Sequence, residues 1–357
     1  MQEEKRTKLL ILTQKVDSRD SILGFFHRWI EEFAKHCGQV TVIALGVGEY
    51  HLPKNVRVFS LGKERGASRL KYIINFYRLI WRERKNYDAV FVHMNQVYAL
   101  LGGLVWRVLR KPVGLWYVHR ANTFSLWLAE KFIDVVFTSR KEGFTIATNK
   151  SMYLGHGIDV GVAVRPRGYR EKRDDRAILC VGRLTPIKDQ ETIIRACGIL
   201  AREGVPFTGV FVGDSVTEKD KEYKKNLLNL VLKEEIKDRV FFKGNVKQEN
   251  LFPFYWKSGI HMNACPTGGL DKVVIEGILG GAIPLVANET FRDAFGEYAD
   301  RLIFRHNDAE SLAKHIKDIL ESNDKEIIRV TLEKKARETF DLSILIKKII
   351  NWYEASQ

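Results

Sequence analysis

The sequence contains few cysteines and none of the short motifs typical of common metal and phosphate sites. Its four cysteines, Cys37, Cys180, Cys197 and Cys265, have neither disulfide nor metal-ligand spacing. The chain also lacks a D-x-D pair, an H-E-x-x-H motif, a phosphate-binding P-loop and a complete G-x-G-x-x-G fingerprint. These absences argue against kinases, dehydrogenases and a metal–diphosphate complex, and they favour buried thiols in a reducing compartment.

Long apolar runs are absent as well. The first residues, MQEEKRTKLLILT, begin with charges and hold only a short apolar stretch, and the longest uncharged run, 89–106, is interrupted by polar residues. Neither pattern is typical of a signal peptide or a membrane span, so we expect a cytoplasmic protein. The length of 357 residues, with 45% hydrophobic and 29% charged residues, predicts a soluble protein of two domains.

Positive charge is concentrated in the first half of the chain. Residues 1–160 contain 25 Lys and Arg against 14 Asp and Glu, a net charge of +11 out of the +14 that the whole chain carries. Residues 54–111 alone hold 13 basic and 3 acidic side chains. This asymmetry indicates either a domain that faces a polyanion or an ordinary solvated surface, and charge alone does not choose between them.

Apolar strands alternate with amphipathic helices along both halves of the chain, which predicts two parallel sheets covered on both faces by helices. Two such sheets in tandem imply a cleft, where small molecules commonly bind. We expect a first domain at 1–160, a charged linker at 161–176 and a second domain at 177–340. The last segment, 341–357, is predicted to be a helix that packs back on the first domain.

The segment from Thr267 to Pro284 (TGGLDKVVIEGILGGAIP) is the most informative stretch of the second half. Glycines precede a short helix, whose free N–H groups attract anions and whose backbone a ligand can approach closely. Glu276 lies about one turn into this helix, where its carboxylate can accept hydrogen bonds from ribose hydroxyls. This pattern alone does not identify a ligand site, because glycine-bounded helices occur in many α/β proteins.

Arg183 and Lys188 lie on a loop between a strand and a helix, where two cations can clamp a diphosphate. Without other observations, two solvated cations would be the simpler interpretation. Other strands of this half end in loops that can line a nucleobase slot, although a glycine in a turn is usually only structural. The residues of interest in these loops are Gly182, Gly213, Asn245 and Val246.

Two histidines end predicted strands of the first domain. His119 closes the strand Val113–His119, and His93 occupies the comparable place on the preceding strand. Either side chain can contact a sugar or transfer a proton, and each is also compatible with a structural role. The residues alone do not decide between them.

The stretches VGRLTPIKDQETIIRA and PTGGLDKVVIEGILGGAIPLVA together resemble the retaining glycosyltransferases of family 4, the glycosyl transferases group 1. The resemblance implies a GT-B fold, in which two Rossmann-like, doubly wound parallel-sheet domains face each other across a cleft. It also implies transfer of a sugar with retained anomeric configuration, from a nucleoside diphosphate sugar to a hydroxyl group and without a metal or other cofactor.

The resemblance assigns roles to particular residues. Arg183 and Lys188 correspond to the diphosphate-binding cations, Glu276 to the ribose-binding glutamate, and His119 to the histidine near the donor sugar. Gly268 stands where the family has the first glutamate of its pair. The remaining donor-binding positions are Gly24, Gly182, Gly213, Asn245, Val246, Gly268, Gly269, Leu270, Asp271, Lys272 and Val273.

The basic helix Arg69–Arg84 predicts how the first domain meets its acceptor. Its apolar Leu70, Ile73, Ile74, Tyr77 and Ile80 are expected to face the core, which leaves the cations exposed. A glycan or lipid-linked acceptor and peripheral contact with an anionic membrane fit this pattern, in cell-envelope polysaccharide or glycolipid synthesis. The exposed basic residues are Arg69, Lys71, Arg78, Arg82 and Arg84.

Two other function classes remain open. A sugar-nucleotide epimerase with the same fold would use the same donor site but need no acceptor. A nucleic-acid-binding protein would also explain the basic first half. No recognisable nucleic-acid module is present in the sequence, however, so no nucleic-acid partner is expected.

Overall fold

The computed structural model describes residues 6–20, 22–119, 121–247, 250–266 and 270–356. The chain divides into two compact units of alternating strands and helices. The first contains residues 1–157 together with 341–357, and the second contains residues 158–340.

The first unit is built on a sheet of seven parallel strands in the order β3-β2-β1-β4-β5-β6-β7. The central strand β1 pairs with both β2 and β4, so that Leu9 lies opposite Val40 on one side and Ala89 on the other. The strands are β1 (Lys8–Val16), β2 (Gln39–Val47), β3 (Val56–Ser60), β4 (Ala89–His93), β5 (Val113–Trp116), β6 (Val135–Thr138) and β7 (Ser151–Tyr153).

Helices cover both faces of this sheet, as the strand–helix alternation predicts. Two of them, the first and the last helix of the chain, bury aromatic and aliphatic side chains on one face, and the other three pack on the opposite face. The helices are α1 (Phe25–His36), α2 (Arg69–Arg82), α3 (Val97–Val108), α4 (Phe124–Glu130) and, at the end of the chain, α14 (Leu342–Ala355).

Helix α2 presents a different face to the core from the one expected. Phe76, Leu79 and Ile80 are buried against the sheet, whereas the stripe that includes Leu70 and Ile74 is exposed. The helix carries two apolar stripes, and the bulky ring of Phe76 packs between the rings of Tyr98 and Trp106 on α3. The prediction that the Leu70 stripe faces the core is therefore wrong.

The second unit contains a five-stranded parallel sheet in the order β10-β9-β8-β11-β12. Its strands are β8 (Asp174–Val181), β9 (Thr208–Val212), β10 (Val240–Phe242), β11 (Ser258–Asn263) and β12 (Ile283–Val286). Its helices are α5 (Val160–Ala163), α6 (Gln190–Arg202), α7 (Glu218–Lys233), α8 (Phe252–Lys257), α9 (Lys272–Leu279), α10 (Arg292–Phe295), α11 (Ala299–Leu302), α12 (Ala309–Glu321) and α13 (Lys325–Phe340).

Residues 161–176 are not a free linker, contrary to the expectation from their charge. Helix α5 overlaps the start of this segment and strand β8 its end, and both lie within the second unit. Arg173 donates a hydrogen bond to the Gly280 carbonyl at 2.9 Å. The charged side chains are therefore used to hold the segment against the second unit.

The C-terminal helix α14 lies within the first unit. The Tyr353 hydroxyl donates a 2.7 Å hydrogen bond to the Val90 carbonyl of β4, and the Trp352 and Tyr353 rings contact Phe137 edge-on. All four cysteines are buried, and none of them forms a disulfide bond. Within the described part of the chain, no helix combines the length and apolar character needed to cross a bilayer.

Candidate donor site at the carboxyl edge of the second sheet

The predicted donor-binding residues of the second unit collect where its parallel strands end. Strand β8 ends at Val181 and is followed by Gly182 and Arg183, and β9 ends at Val212 and is followed by Gly213. In parallel α/β sheets ligands bind at this edge, because loops and helix N-termini converge there. The sequence thus places candidate residues from several distant segments at one edge.

Three strand-end glycines line this edge at close quarters. Gly182 donates its N–H to the Val212 carbonyl at 2.9 Å, and Gly213 donates to the Gly244 carbonyl at 2.8 Å. A Cβ atom on Gly213 would lie 2.0 Å from the Gly182 carbonyl oxygen, and Gly213 has a φ of 132°. Only glycine fits at position 213, which explains the glycine by backbone packing as well as by ligand access.

Lys188 is paired with a carboxylate of the second unit. Its Nζ lies 2.6 Å from Oδ2 of Asp271, the residue that precedes helix α9. The same oxygen accepts a 2.8 Å hydrogen bond from Nδ2 of Asn263, whose own Oδ1 accepts from the Cys265 N–H. Lysine, aspartate and asparagine therefore form a chain that fixes the ammonium group next to the start of α9.

Glu276 lies deeper in the same helix. Its side chain is buried, and Oε2 accepts a 3.2 Å hydrogen bond from the hydroxyl of Tyr255, which is fully buried. Burial raises the pKa of Glu276, and the charge of Lys272, one turn earlier on α9, opposes this rise. Burial in turn lowers the pKa of Lys272, again opposed by Glu276. The positive charge of Lys272 and the negative charge of Glu276 stabilise each other where little water is present.

His261 lies beneath α9 on strand β11. The ring is fully buried against Gly277, whose Cβ, if present, would come within 3.0 Å of it. Burial lowers the pKa of His261 to about 3, an effect that the Asp271 charge opposes and the Lys188 charge reinforces. The imidazole is therefore neutral at physiological pH.

The other donor-binding candidates of this unit are more exposed. Arg183 points into solvent, and its carbonyl accepts a 3.0 Å hydrogen bond from Nε2 of Gln190. Asn245 is exposed, and Val246, Leu270 and Val273 are half-buried. Gly268 and Gly269 fall outside the residues that the structure describes.

Three residues of this edge were not found from the sequence. Asn263 donates a hydrogen bond to Asp271, and Tyr255 donates one to Glu276. His261, the third, lies beneath α9. His261 and Asn263 alternate along an otherwise apolar strand and so face the same side of the sheet. Two polar residues at this spacing, just before the glycine-containing segment, were the signal available in the sequence.

The first unit holds the remaining candidates. His119 is exposed, three residues beyond the end of β5, so the predicted strand Val113–His119 is too long. The neighbouring strand β6 has only four residues. The N–H of Tyr117, just after β5, donates to the Phe137 carbonyl of β6 at 2.9 Å. Gly24 is the N-cap of α1, where a Cβ would lie 2.5 Å from the Asp20 carbonyl oxygen.

The other histidine of the first unit is enclosed. His93 ends β4, stacks on the Phe26 ring at 3.7 Å and lies 3.2 Å from the Thr13 hydroxyl. This environment is that of a packed core residue, whereas His119 is open to solvent. The structure thus distinguishes two histidines that the sequence left equivalent.

The basic residues of α2 are exposed, apart from the one just past its end. Arg69, Lys71, Arg78 and Arg82 face solvent, and Arg84 packs its guanidinium over the Trp81 ring at 4.5 Å. No group of three or more His, Cys, Asp and Glu side chains suited to a metal ion occurs among the described residues.

Comparison with known proteins gives this arrangement a family. No curated protein sequence matches the chain. Its fold is similar to Anabaena HepE, solved with UDP, at 16% identity and a TM-score of 0.74 over 98% of this chain and 100% of that one. It is also similar to a glycosyltransferase from Rickettsia africae, at 13% identity and a TM-score of 0.75 over 98% of each chain.

A third solved structure, the sucrose-phosphate synthase of Thermosynechococcus elongatus, shares 14% identity at a TM-score of 0.70 over 98% of each chain. The chain therefore has the GT-B fold, as the sequence resemblance implied. The family model described as glycosyl transferases group 1 matches residues 165–339, which include α9 and the Lys188 loop. Residues 165–339 thus belong to the glycosyl transferases group 1 family.

Proposed function

We propose that the protein is a retaining glycosyltransferase that moves a sugar from a nucleoside diphosphate sugar to a hydroxyl of a glycan or lipid-linked acceptor. The observation that carries the proposal is the meeting of Lys188, Asp271 and Glu276 at the edge of a group 1 sheet. This edge offers a cation for a diphosphate and a buried carboxylate for neutral hydroxyls.

The leaving group of such a transfer is a nucleoside diphosphate, on which negative charge grows as the sugar bond breaks. Lys188 and Arg183 would stabilise that charge, together with the N–H groups at the start of α9. Every 1.4 kcal/mol of such stabilisation gives about a tenfold gain in rate. This division of labour needs no metal ion, and we propose that the reaction is metal-independent.

Glu276 would bind the ribose of the donor. A carboxylate that already accepts from Tyr255 retains lone pairs for two ribose hydroxyls, and its burial strengthens each bond. His119 would lie near the donor sugar, as the family resemblance implies, and its exposed position just after β5 is compatible with that role. Gly24 would leave room for the donor on the first unit.

The donor base can be approached through the solved relatives. HepE of Anabaena was crystallised with UDP, with UDP and glucose, and with UDP-glucose. UDP and UDP-glucose are therefore the first ligands to test. For the pathway we propose cell-envelope polysaccharide or glycolipid synthesis, with the protein in the cytoplasm and in peripheral contact with the membrane.

A thermal-shift titration tests the donor site directly. UDP at a hundred times its Kd should stabilise the wild-type protein by about 2.7 kcal/mol and raise its Tm. Lys188→Ala and Arg183→Ala should each remove most of this rise, measured against the Tm of the same variant without ligand, because loss of the bond to Asp271 also lowers the Tm of free Lys188→Ala. Lys317→Ala, which removes an exposed cation paired with Glu203 just after α6, is the matched control and should keep the full rise.

The outcomes separate the possible functions. An unchanged UDP-induced rise in both Lys188→Ala and Arg183→Ala would refute the assigned donor site. Incubation with UDP-glucose alone and then with acceptor distinguishes transfer from epimerisation, because an epimerase converts the donor with no acceptor present. The configuration of the product, read by NMR, tests retention, and activity in the presence of a chelator tests metal independence.

A further inference from the structure

The three helices that cover one face of the first sheet share an unusual outer surface. Helices α2, α3 and α4 lie side by side: the Tyr77 hydroxyl on α2 donates to the Leu101 carbonyl on α3 at 2.8 Å, and Arg107 on α3 donates to the Lys131 carbonyl just after α4 at 2.7 Å. Their inner sides belong to one buried cluster. Their outer sides, which we call the three-helix surface, are apolar and basic.

On α2 the exposed apolar residues form a continuous stripe. Leu70, Ile74, Tyr77 and Trp81 recur at helical spacing, with exposed fractions of 67% for Leu70, 57% for Ile74 and 54% for Trp81. Residues three and four apart lie on the same side of a helix. The stripe is therefore one outward-facing ridge and not a set of scattered exposures.

The neighbouring helices extend this ridge. On α3, Leu104 is 63% and Val108 81% exposed, and on α4 the rings of Phe124 and Trp127 are exposed and stacked at 5.7 Å. Contiguous apolar surface of this kind on a protein usually marks a contact with another body. Exposed aromatic rings such as those of Trp81 and Trp127 suit a boundary between water and lipid.

The charges on this surface all have one sign. The helical segments 69–82, 97–108 and 124–130 contain a single carboxylate, Glu130, and it is buried. Cations such as Arg78 and Arg107 are exposed beside the apolar ridge. Two copies of this surface facing each other would bring like charges together, whereas an anionic surface would be attracted by them.

We infer that the three-helix surface docks on an anionic membrane, with the apolar ridge inserted among the lipids and the cations at the headgroups. The combination of an apolar ridge and a basic rim is that of elements that lie in the plane of a bilayer. Arginine and lysine side chains near such a surface each add to the attraction of anionic lipids.

This docking would bring the first unit's candidate residues to the bilayer. In a parallel α/β sheet each helix starts at the carboxyl end of the strand before it, so the ridge reaches the edge of the sheet near His119. The protein could then reach a lipid-linked acceptor while that acceptor stays in the membrane. This consequence rests on the proposed function, whereas the docking itself does not.

Cosedimentation with vesicles, without donor or acceptor, tests the docking. Wild-type protein should bind vesicles that contain phosphatidylglycerol more strongly than vesicles of phosphatidylcholine alone, and less strongly at high salt. Ile74→Glu and Leu104→Glu should each weaken binding by about tenfold, because a charge replaces an inserted side chain. Leu232→Glu, at a leucine of α7 that is 60% exposed, should bind like wild type.

Fluorescence gives a second, independent readout. Brominated lipids should quench the emission of Trp81 and Trp127, and the double Trp81→Phe, Trp127→Phe variant should lose that quenching while it still sediments with vesicles. Vesicle binding that Ile74→Glu and Leu104→Glu leave unchanged would overturn the inference. The inference would also be overturned if the wild-type protein did not bind vesicles but formed a concentration-dependent dimer that Ile74→Glu disrupts. The partner of this surface would then be a second copy of the chain.

Discussion

The carboxyl edges of the two sheets are built in opposite ways. In the second unit the candidate side chains are held by one another: Lys188 by Asp271, Asp271 by Asn263, and Glu276 by Tyr255. In the first unit the candidate His119 is exposed in the segment after β5, whereas His93 is packed among aromatic rings. The second edge is a set of mutually bonded side chains, whereas the first edge presents its candidate histidine to solvent.

This difference separates binding from stability in a way that can be measured. Where polar groups are buried with their partners, removal of one leaves another uncompensated, so a variant loses both ligand contacts and folding free energy. Where the side chain is exposed, removal affects only the contact that it makes with substrate. The two edges should therefore respond differently to equivalent substitutions.

The largest effect is expected for Glu276→Ala. The variant leaves the Tyr255 hydroxyl without its acceptor and Lys272 without its opposing charge, and the loss of one partner from a buried pair costs about 3–5 kcal/mol. Urea denaturation should show the second unit unfolding at a lower midpoint. His119→Ala, on the open edge, should change the free energy of unfolding by no more than about 0.5 kcal/mol. Equal losses for the two variants would mean that the edges do not differ.

The next effect is expected at the glycines of the two edges. Gly213→Ala places a Cβ 2.0 Å from the Gly182 carbonyl oxygen at a positive φ, and should cost about 2–3 kcal/mol. Gly24→Ala meets the Asp20 carbonyl at 2.5 Å but keeps a helical φ, and should cost about 1–2 kcal/mol.

Gly204→Ala is the control for this pair. It has a positive φ but no atom within 4 Å of the added carbon, so it isolates backbone strain of about 1 kcal/mol. All three variants are compared by their unfolding midpoints in urea. If Gly213→Ala were no worse than Gly204→Ala, close packing of the strand ends would not explain the glycine.

Much of the fold could be predicted because strands and helices here have clear periodicity. The alternation along both halves predicts two parallel sheets, and the structure contains both. Helix α13 was not predicted, since its apolar residues are diluted by charges and its stability comes from packing against α9. The exposed stripe of α2 was misassigned because both of its sides are apolar.

The site was predictable only where the residues follow strands. Lys188 and Asp271 are 83 positions apart in sequence. Lys188 became a candidate because it follows a strand, whereas Asp271 became one only through the family resemblance. No local pattern could pair Tyr255 with Glu276, because their contact depends on how α8 packs against α9. The alternation of His261 and Asn263 was visible, but polar residues in a buried strand have many structural explanations.

A pH-dependent effect on stability is expected from His261, whose ring is fully buried in the second unit. Because burial lowers its pKa in the folded protein to about 3, the unfolded chain takes up a proton near pH 6.5 and the folded chain does not. The stability that neutral His261 provides is therefore complete above pH 6.5 and is lost as pH falls. The loss should approach about 1 kcal/mol between pH 6.5 and 5.5.

The contribution of His261 is isolated by comparison with His261→Phe, which fills the space without titrating. Urea midpoints of the second unit are measured from pH 7.5 to pH 5.5 for both proteins, so that other groups, including Glu276, cancel. The stability of wild type relative to His261→Phe should fall by about 1 kcal/mol as the pH falls from 6.5 to 5.5. A constant difference would show that His261 is protonated in the folded state or is not buried in solution.

The smallest effect is expected for Asp271→Asn, which tests whether prior assembly of the second edge limits donor binding. In the free protein the Asp271 carboxylate neutralises Lys188, and a donor diphosphate must compete for that ammonium group. Asparagine keeps the bond from Asn263 but removes the charge, and partly exposed ion pairs of this kind are worth about 0.2–1 kcal/mol. UDP should therefore bind about two- to fivefold more tightly to the variant in calorimetric titration. Glu203→Gln frees the similarly exposed Lys317 elsewhere in the unit and should leave UDP affinity unchanged. Weaker binding by Asp271→Asn would instead mean that the carboxylate positions Lys188 for the donor, because the ammonium group would then depend on it for its place at the edge.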